Sequence, residues 1–251
     1  MSASERGPRP GDPARPGRGQ SSVVGVTLLL GATVIALGVL TASVGTIVEG
    51  HAARADADRV ASDMEAALQP VETTGHRTAE IRFAEGSLHT VERDLHVIKN
   101  GTHEATVPVG GLVYERGERR VRSVAGAVVR GRDDNAWTVD PPPIVGSETG
   151  GVLVVGAARL NASGGVGGRA TAEIETNVSH DRTSLGRGTY EVAIETTVPG
   201  AFERAFRELG AASVYRDDVD GDGQESVVAR FPGVRTGYLV EHDMRAEVSD
   251  G

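Results

Sequence analysis

The chain of 251 residues has no cysteine, a single lysine (Lys99) among its 26 basic residues, one tryptophan and four phenylalanines. Without cysteine there are no disulfides, so an exported domain of this chain has to be held together by an apolar core. Basic residues are outnumbered by 35 acidic ones, for a net charge of −9. That balance leaves no basic footprint for nucleic acid. Also missing are the G-x-S-x-G, H-E-x-x-H and phosphate-loop patterns. The glycine run Gly164-Gly-Val-Gly-Gly168 lacks the lysine and helix that a phosphate loop requires. The sequence therefore points to no catalytic residues, no cofactor and no enzymatic role.

What is present is a long apolar run. Residues 21–48 carry no charge, and the stretch from Val23 to Val48 is 26 residues long. A bilayer core needs about 20 predominantly apolar residues at 1.5 Å each, so this segment can span a membrane with some tilt. A cleaved secretory signal has a shorter apolar region, about 7–15 residues. The sequence thus predicts a retained, single-pass membrane helix with the lipid bilayer as its first partner. Arg6, Arg9, Arg15 and Arg18 precede it against Glu5 and Asp12, which gives +2 and leaves −11 beyond the span. Arginines cluster on the cytoplasmic side of membrane helices, so the expected topology is N-terminus cytoplasmic and C-terminal domain extracellular.

Three regions are expected. Residues 1–19 form a Pro-, Gly- and Arg-rich cytoplasmic leader that should be disordered. Residues 20–69 form the transmembrane helix and its extracellular continuation, about 75 Å at the helical rise. Beyond Val48, small or apolar residues recur at Ala53, Ala57, Val60, Met64 and Ala67, a 4-3-4-3 spacing that makes a narrow seam. That seam suits the chain's own head, neighbouring subunits or both. Pro70 is placed to stop the helix. In the span itself, Gly31, Gly38 and Gly45 fall near one stripe, with Ala32-x-x-x-Ala36 and Gly38-x-x-x-Ala42 beside it. Small residues let helices approach closely in lipid.

Residues 70–251 switch to period two, as in Ala79-Glu-Ile-Arg-Phe83, Leu95-His-Val-Ile98, Ala170 to Val178 and Thr189 to Val198. Glu85-Gly86, Asn100-Gly101, Gly110-Gly111 and Arg116-Gly117 signal turns, and Gly164 to Gly168 reads as a flexible break. One helix interrupts the strands at Ala201-Phe-Glu-Arg-Ala-Phe-Arg-Glu-Leu209, with Phe202, Ala205, Phe206 and Leu209 on one face and Gly210 placed as its cap. The expected class is α+β: a long N-terminal transmembrane helix, then a mainly antiparallel β-rich ectodomain with one short amphipathic helix.

Several short patterns bear on function. Three of the four asparagines, Asn100, Asn161 and Asn177, stand in N-x-[ST] glycosylation sequons. Asp218, Asp220 and Asp222, followed by Gly223 and Glu225, make the D-x-D-x-D-G core of a calcium loop. The twelfth position is Ala229 rather than glutamate, so this is no EF-hand; a looser Ca2+ turn with Glu225 as an extra ligand stands beside the plain reading of an acidic turn. His89, His96 and His103 are seven apart, and on strands an odd spacing sends successive residues to opposite faces. They are expected to be solvated rather than to share a metal.

The junction Arg18-Gly19-Gln20-Ser21-Ser22, abutting the apolar span, resembles the processing site of archaeal type IV pilin precursors. The resemblance implies cleavage between Gly19 and Gln20 by a prepilin-type peptidase, with the helix retained for packing on like subunits. Val23-Val24 stand where many pilins carry a glutamate. Gly110-Gly-Leu-Val-Tyr114-Glu-Arg-Gly117, Val124-Ala-Gly126-Ala-Val-Val-Arg130, Pro141-Pro-Pro143 and Phe202-x-x-x-Phe206 are similar to a haloarchaeal pilin-like membrane protein family of uncharacterised function. The acidic, lysine-poor, Gly-, Ala- and Val-rich composition resembles that of salt-loving archaea. The expectation is a non-enzymatic cell-surface protein of assembly or adhesion. The alternative is a permanently anchored envelope module that binds a glycan, another ligand or calcium.

Overall fold

A computed structural model describes residues 20–68, 73–133, 135–147 and 151–251. The leader 1–19, including Gly19, and the stop expected at Pro70 lie outside the described residues. Helix α1 runs Gln20–Leu68 without interruption; residue 69, its expected last residue, lies outside the described residues. It is long and apolar enough to cross a membrane, by length and composition. The chain divides at Gly50/His51 into two compact units. In the first, every described side chain from Val24 to Gly50 is exposed. Thr33, Thr41 and Ser43 fold their hydroxyls back onto the carbonyls of Leu30, Leu37 and Val39 at 2.8 Å, which satisfies polar groups within the helix.

The second unit holds residues 51–251. Seventeen strands are seen among the described residues. In chain order they are β1 (Gly75–Phe83), β2 (Ser87–Val91), β3 (Asp94–Lys99), β4 (Thr102–Pro108), β5 (Gly111–Arg116), β6 (Arg119–Val124), β7 (Ala127–Arg132), β8 (Asn135–Asp140) and β9 (Ile144–Gly146). β10 (Val152–Arg159), β11 (Gly165–Gly167), β12 (Ala170–Gly188) and β13 (Tyr190–Glu195) precede helix α2 (Pro199–Glu208). β14 (Ser213–Asp217), β15 (Ser226–Arg230), β16 (Arg235–Asp243) and β17 (Glu247–Asp250) follow it. They form three sheets, ordered β1-β12-β16-β10-β9, β11-β2-β5-β6-β7-β8 and β14-β15-β13-β3-β4, with β17 also on β12. The pairing is mainly antiparallel, and β10 and β16 run parallel.

The 19-residue strand β12 ties the first sheet together. Its opening half pairs with β1 on one side and β17 on the other, and its closing half pairs with β16. Ala172 and Ile174 from the opening half enter one apolar cluster, with Met64, Ile81, Phe83, Leu112 and Tyr114. Leu185 from the closing half enters a second, with Leu95, Leu153, Tyr190, Phe202 and Phe206.

The seam of α1 belongs to the first of these clusters. Ala57, Val60, Met64 and Ala67 are buried there, as the spacing predicts, and Asp56, Ala61 and Leu68 widen the contact. Of the two occupants considered for the seam, the chain's own strands are the ones that cover it. Polar contacts fix its register. Asp56 accepts the Ala84 N–H at 3.1 Å and pairs with Arg116, and Asp63 accepts the Arg82 N–H at 3.1 Å. Tyr114 packs on Phe83 with ring centroids 5.2 Å apart and donates its hydroxyl to the Glu85 carbonyl at 2.7 Å.

Burial, with the Asp56 and Glu85 charges adding to it, pushes the Tyr114 phenol up from 10 to about 12. A folded pKa above the unfolded one means that the folded state holds this proton more tightly. The associated stability is therefore complete below pH 10 and is lost as pH rises through 12. A spectrophotometric titration should show a tyrosine ionising near pH 12. Urea unfolding should show stability falling by on the order of 2 kcal/mol over that window, and Tyr114→Phe should remove this slope.

Helix α2 forms as the sequence predicts. Ala201, Phe202, Ala205 and Phe206 are buried, and Leu209 packs at the margin of the same cluster. Gly210, at φ +84°, lets its own N–H reach the Arg207 carbonyl at 3.1 Å and that of Ala211 reach Phe206 at 3.0 Å, a Schellman ending. The glycine run at 164–168 is not the flexible break expected. Gly165–Gly167 is strand β11, paired with β2. A side-chain carbon on Gly164 would stand 2.7 Å from the Val248 carbonyl, and one on Gly165 2.9 Å from that of Leu88. The glycines admit close backbone approach there, while Val166 fills the core.

Candidate functional site

At one end of the third sheet, a histidine and several carboxylates come together. β3 turns back into β4 through Asn100-Gly101, whose φ values of 52° and 76° make a type I′ hairpin. This places His96 opposite Thr106. On the other flank β13 pairs with β3, with Ile194 opposite Leu95 and Ala193 opposite His96, so Glu195 continues alongside Asp94. The Asp94 N–H donates to Glu195 Oε2 at 2.8 Å. The loop between β14 and β15 closes the group, tied to the end of β13 by the Thr196 N–H on the Glu225 carbonyl at 3.1 Å.

The resulting geometry is tight. His96 Nε2 lies 3.5 Å from Glu195 Oε1 and 3.9 Å from Asp220 Oδ2. One ligand atom from each of Asp94, His96, Glu195 and Asp220 falls within 4.8 Å of the others. The side chains of His96 and Glu195 are only 1% and 2% exposed. His96 Nε2 and Glu195 Oε1 are both buried without a hydrogen-bond partner. Burial pushes the Glu195 carboxyl up, against the lowering effect of the Asp94 N–H. The other imidazole nitrogen of His96, Nδ1, stands 3.1 Å from Thr106 Oγ1, which is in turn 2.8 Å from His103 Nε2. A cavity of about 370 Å3 opens beside the group, sharing Asp94 and Glu195 and bounded by Arg93, Arg159 and Asn161.

Of the acidic-loop residues, Asp218, Asp220 and Asp222 are brought together on the exposed loop, and Glu225 is not. The carboxylate oxygens of the three aspartates also lie within 4.8 Å of one another, but the loop's own amides occupy much of them. Asp218 accepts the N–H groups of Gly221 at 2.9 Å and Gly223 at 3.0 Å, and Asp222 accepts that of Gln224 at 2.7 Å. These contacts hold the Asp222 carboxyl below its usual range, led by the Gln224 N–H. Glu225 turns its carboxylate to Arg216 at 3.5 Å. Asp220 is the member that reaches toward His96.

The expectation of three solvated histidines is corrected for His96, which is fully buried. The face rule holds along one strand, but the hairpin turn falls between His96 and His103. Folding back brings their rings to 5.8 Å, edge to face. His89 sits apart on β2, in another sheet. The sequence did carry a signal for the pair missed by that argument. Asp94-x-His96 is an i, i+2 spacing, which on a strand puts both residues on one face. Glu195 was legible only as a lone acid closing the apolar run Val192-Ala-Ile194.

The three sequon asparagines are all exposed. Asn100 uses its Oδ1 to accept the Thr189 N–H at 2.9 Å, Asn161 points Nδ2 at Asp243, and Asn177 lies on the open face of β12. Gln20, the expected first residue of the mature chain, opens α1.

No curated protein and no solved structure matches the chain. A family model does match, over residues 18–247, from the junction before α1 to the start of β17. The chain belongs to the Family of unknown function (DUF7289).

Proposed function

We propose that this is a pilin-like, membrane-anchored cell-surface protein that works by assembly or adhesion and carries out no chemistry. The observation behind this reading is the character of α1. The helix runs Gln20–Leu68, and its described side chains from Val24 to Val48 are exposed and mostly apolar. From Asp56 onward it becomes part of the head's own core. Because the head occupies the outer seam, contacts with like subunits fall to the span, where Gly31, Gly38 and Gly45 leave open space against the helix. The arginines of the leader favour a cytoplasmic N-terminus and an exported head, and the exposed Asn100, Asn161 and Asn177 are then available to a glycosylation machinery.

Sequencing the N-terminus of protein isolated from membranes tests the reading. A mature chain beginning at Gln20 is the expected result; a chain beginning at Met1 or Ser2 would overturn processing. Mechanical shearing of cells tests assembly, since filament subunits leave with the sheared material. Complete retention with the membranes would instead favour a permanently anchored binding module.

A further inference from the structure

We infer that Asp94, His96, Glu195 and Asp220 form a binding site for one divalent transition-metal ion of the Zn2+ or Mn2+ class, linking β3 and β13 to the 218–225 loop. Two atoms of the group have no hydrogen-bond partner. Buried polar atoms are almost always hydrogen-bonded, and leaving one unsatisfied is costly. His96 Nε2 and Glu195 Oε1 are both in that condition, and they face each other and Asp220. At 3.5 Å they are too far apart for a good hydrogen bond. Two atoms that each lie about 2.1 Å from a tetrahedral zinc stand about 3.4 Å apart. The gap therefore has the size of one edge of a metal coordination shell.

The surroundings are arranged as an outer shell would be. A metal-bound imidazole ordinarily donates its other N–H, and its ligand carboxylates are themselves hydrogen-bonded. Here His96 Nδ1 meets Thr106 Oγ1, and the Thr106 hydroxyl can pass its own proton to His103 Nε2. With the donors in that order, His96 turns its Nε2 lone pair toward Glu195 and Asp220. Glu195 Oε2 is held by the Asp94 N–H, which leaves Oε1 for the ion. In the loop, Asp218 and Asp222 are engaged by backbone amides, while Asp220 accepts the Asp222 N–H on Oδ1 at 3.3 Å and directs Oδ2 at His96.

The donor set selects the metal. Calcium takes six to eight oxygens at about 2.3–2.6 Å, while an imidazole nitrogen beside carboxylates suits zinc, manganese or iron. Three carboxylates converging beside one imidazole, one of them buried, are a poor resting arrangement without a cation. A dication relieves that repulsion. The site is centred on His96 and borrows one carboxylate of the acidic loop.

The test uses the full chain in detergent micelles, stripped with a chelator and titrated calorimetrically with Zn2+, Mn2+ and, for contrast, Ca2+. Zn2+ or Mn2+ should bind with one equivalent per chain and raise the melting temperature; Ca2+ at the same concentration should do neither. Co2+ in place of Zn2+ should give the visible absorption of a nitrogen- and oxygen-ligated ion. His96→Gln and Glu195→Gln should abolish binding. Asp220→Asn, a half-exposed position outside the core, should do the same with the circular dichroism of the head unchanged. Thr106→Val, which removes the support of the imidazole, should weaken binding about 10–100-fold. Asp218→Asn should leave it intact. Absence of saturable one-equivalent binding would overturn the inference. So would binding that survives His96→Gln, or binding lost in Asp218→Asn but kept in Asp220→Asn.

Discussion

Replacing Asp56 with alanine should lower the unfolding free energy of the head by about 3–5 kcal/mol. Asp56 is 4% exposed and joins helix α1 to the β1–β2 turn and β5. It accepts the Ala84 N–H and pairs with Arg116, whose side chain is only 15% exposed. Truncation takes one acceptor from a largely buried guanidinium, which keeps only the exposed Glu85 at 3.0 Å, and the acceptor from a backbone donor, and the penalty is mostly that of these groups. Asp58, two residues along, is the internal control. It pairs with Arg130 but is 52% exposed, so Asp58→Ala should cost no more than about 1 kcal/mol. Urea unfolding of the full chain in micelles, followed by circular dichroism, measures both. Equal, small effects would mean that the apolar seam alone docks the helix.

Phe206→Ala should be comparably damaging, at about 3–5 kcal/mol. The ring is fully buried in the cluster that also contains Phe202, Tyr190 and Phe231. Its backbone carbonyl is also the acceptor that closes the C-terminal cap of α2, so the space left by the ring lies beneath a helix end that has little freedom to settle into it. Leu209→Ala, at the margin of the same face, should cost about a third as much. If the two losses were equal, α2 would be sitting on the sheets as a rigid lid, with no single anchor.

These contrasts also show what could be read from sequence. Where structure is made by neighbours in the chain, the residues announced it. Asn100-Gly101 gave its hairpin because both residues tolerate left-handed backbone. The α2 face and the α1 seam followed from helical spacing, and Gly210 from its place after Leu209. Where strands meet across long separations, the residues were silent. His96 is buried because β13, about 100 residues away, lies beside β3, and no local pattern encodes that neighbour. Only the opening half of β12 was legible, since Ser179 to Ser184 is polar and mostly exposed and carries no alternation. The parallel pairing of β10 with β16 was hidden for the same reason. β11 went unseen because glycines carry no strand signal even where close approach demands them.

The sharing of β12 between the two apolar clusters has a consequence for how the head comes apart. Ala172 and Ile174 complete one cluster, and Leu185 the other, on a single continuous strand. Neither half of the head can open without withdrawing a partner from its neighbour, so the two behave as one cooperative unit rather than as separate foldons. The same strand has partners both before and after it in the chain, β1 on one side and β16 and β17 on the other. A head folded only as far as β12 would therefore hold an unpaired β12 edge until the later strands arrive, and that interval is when the acidic surface does most to keep chains apart.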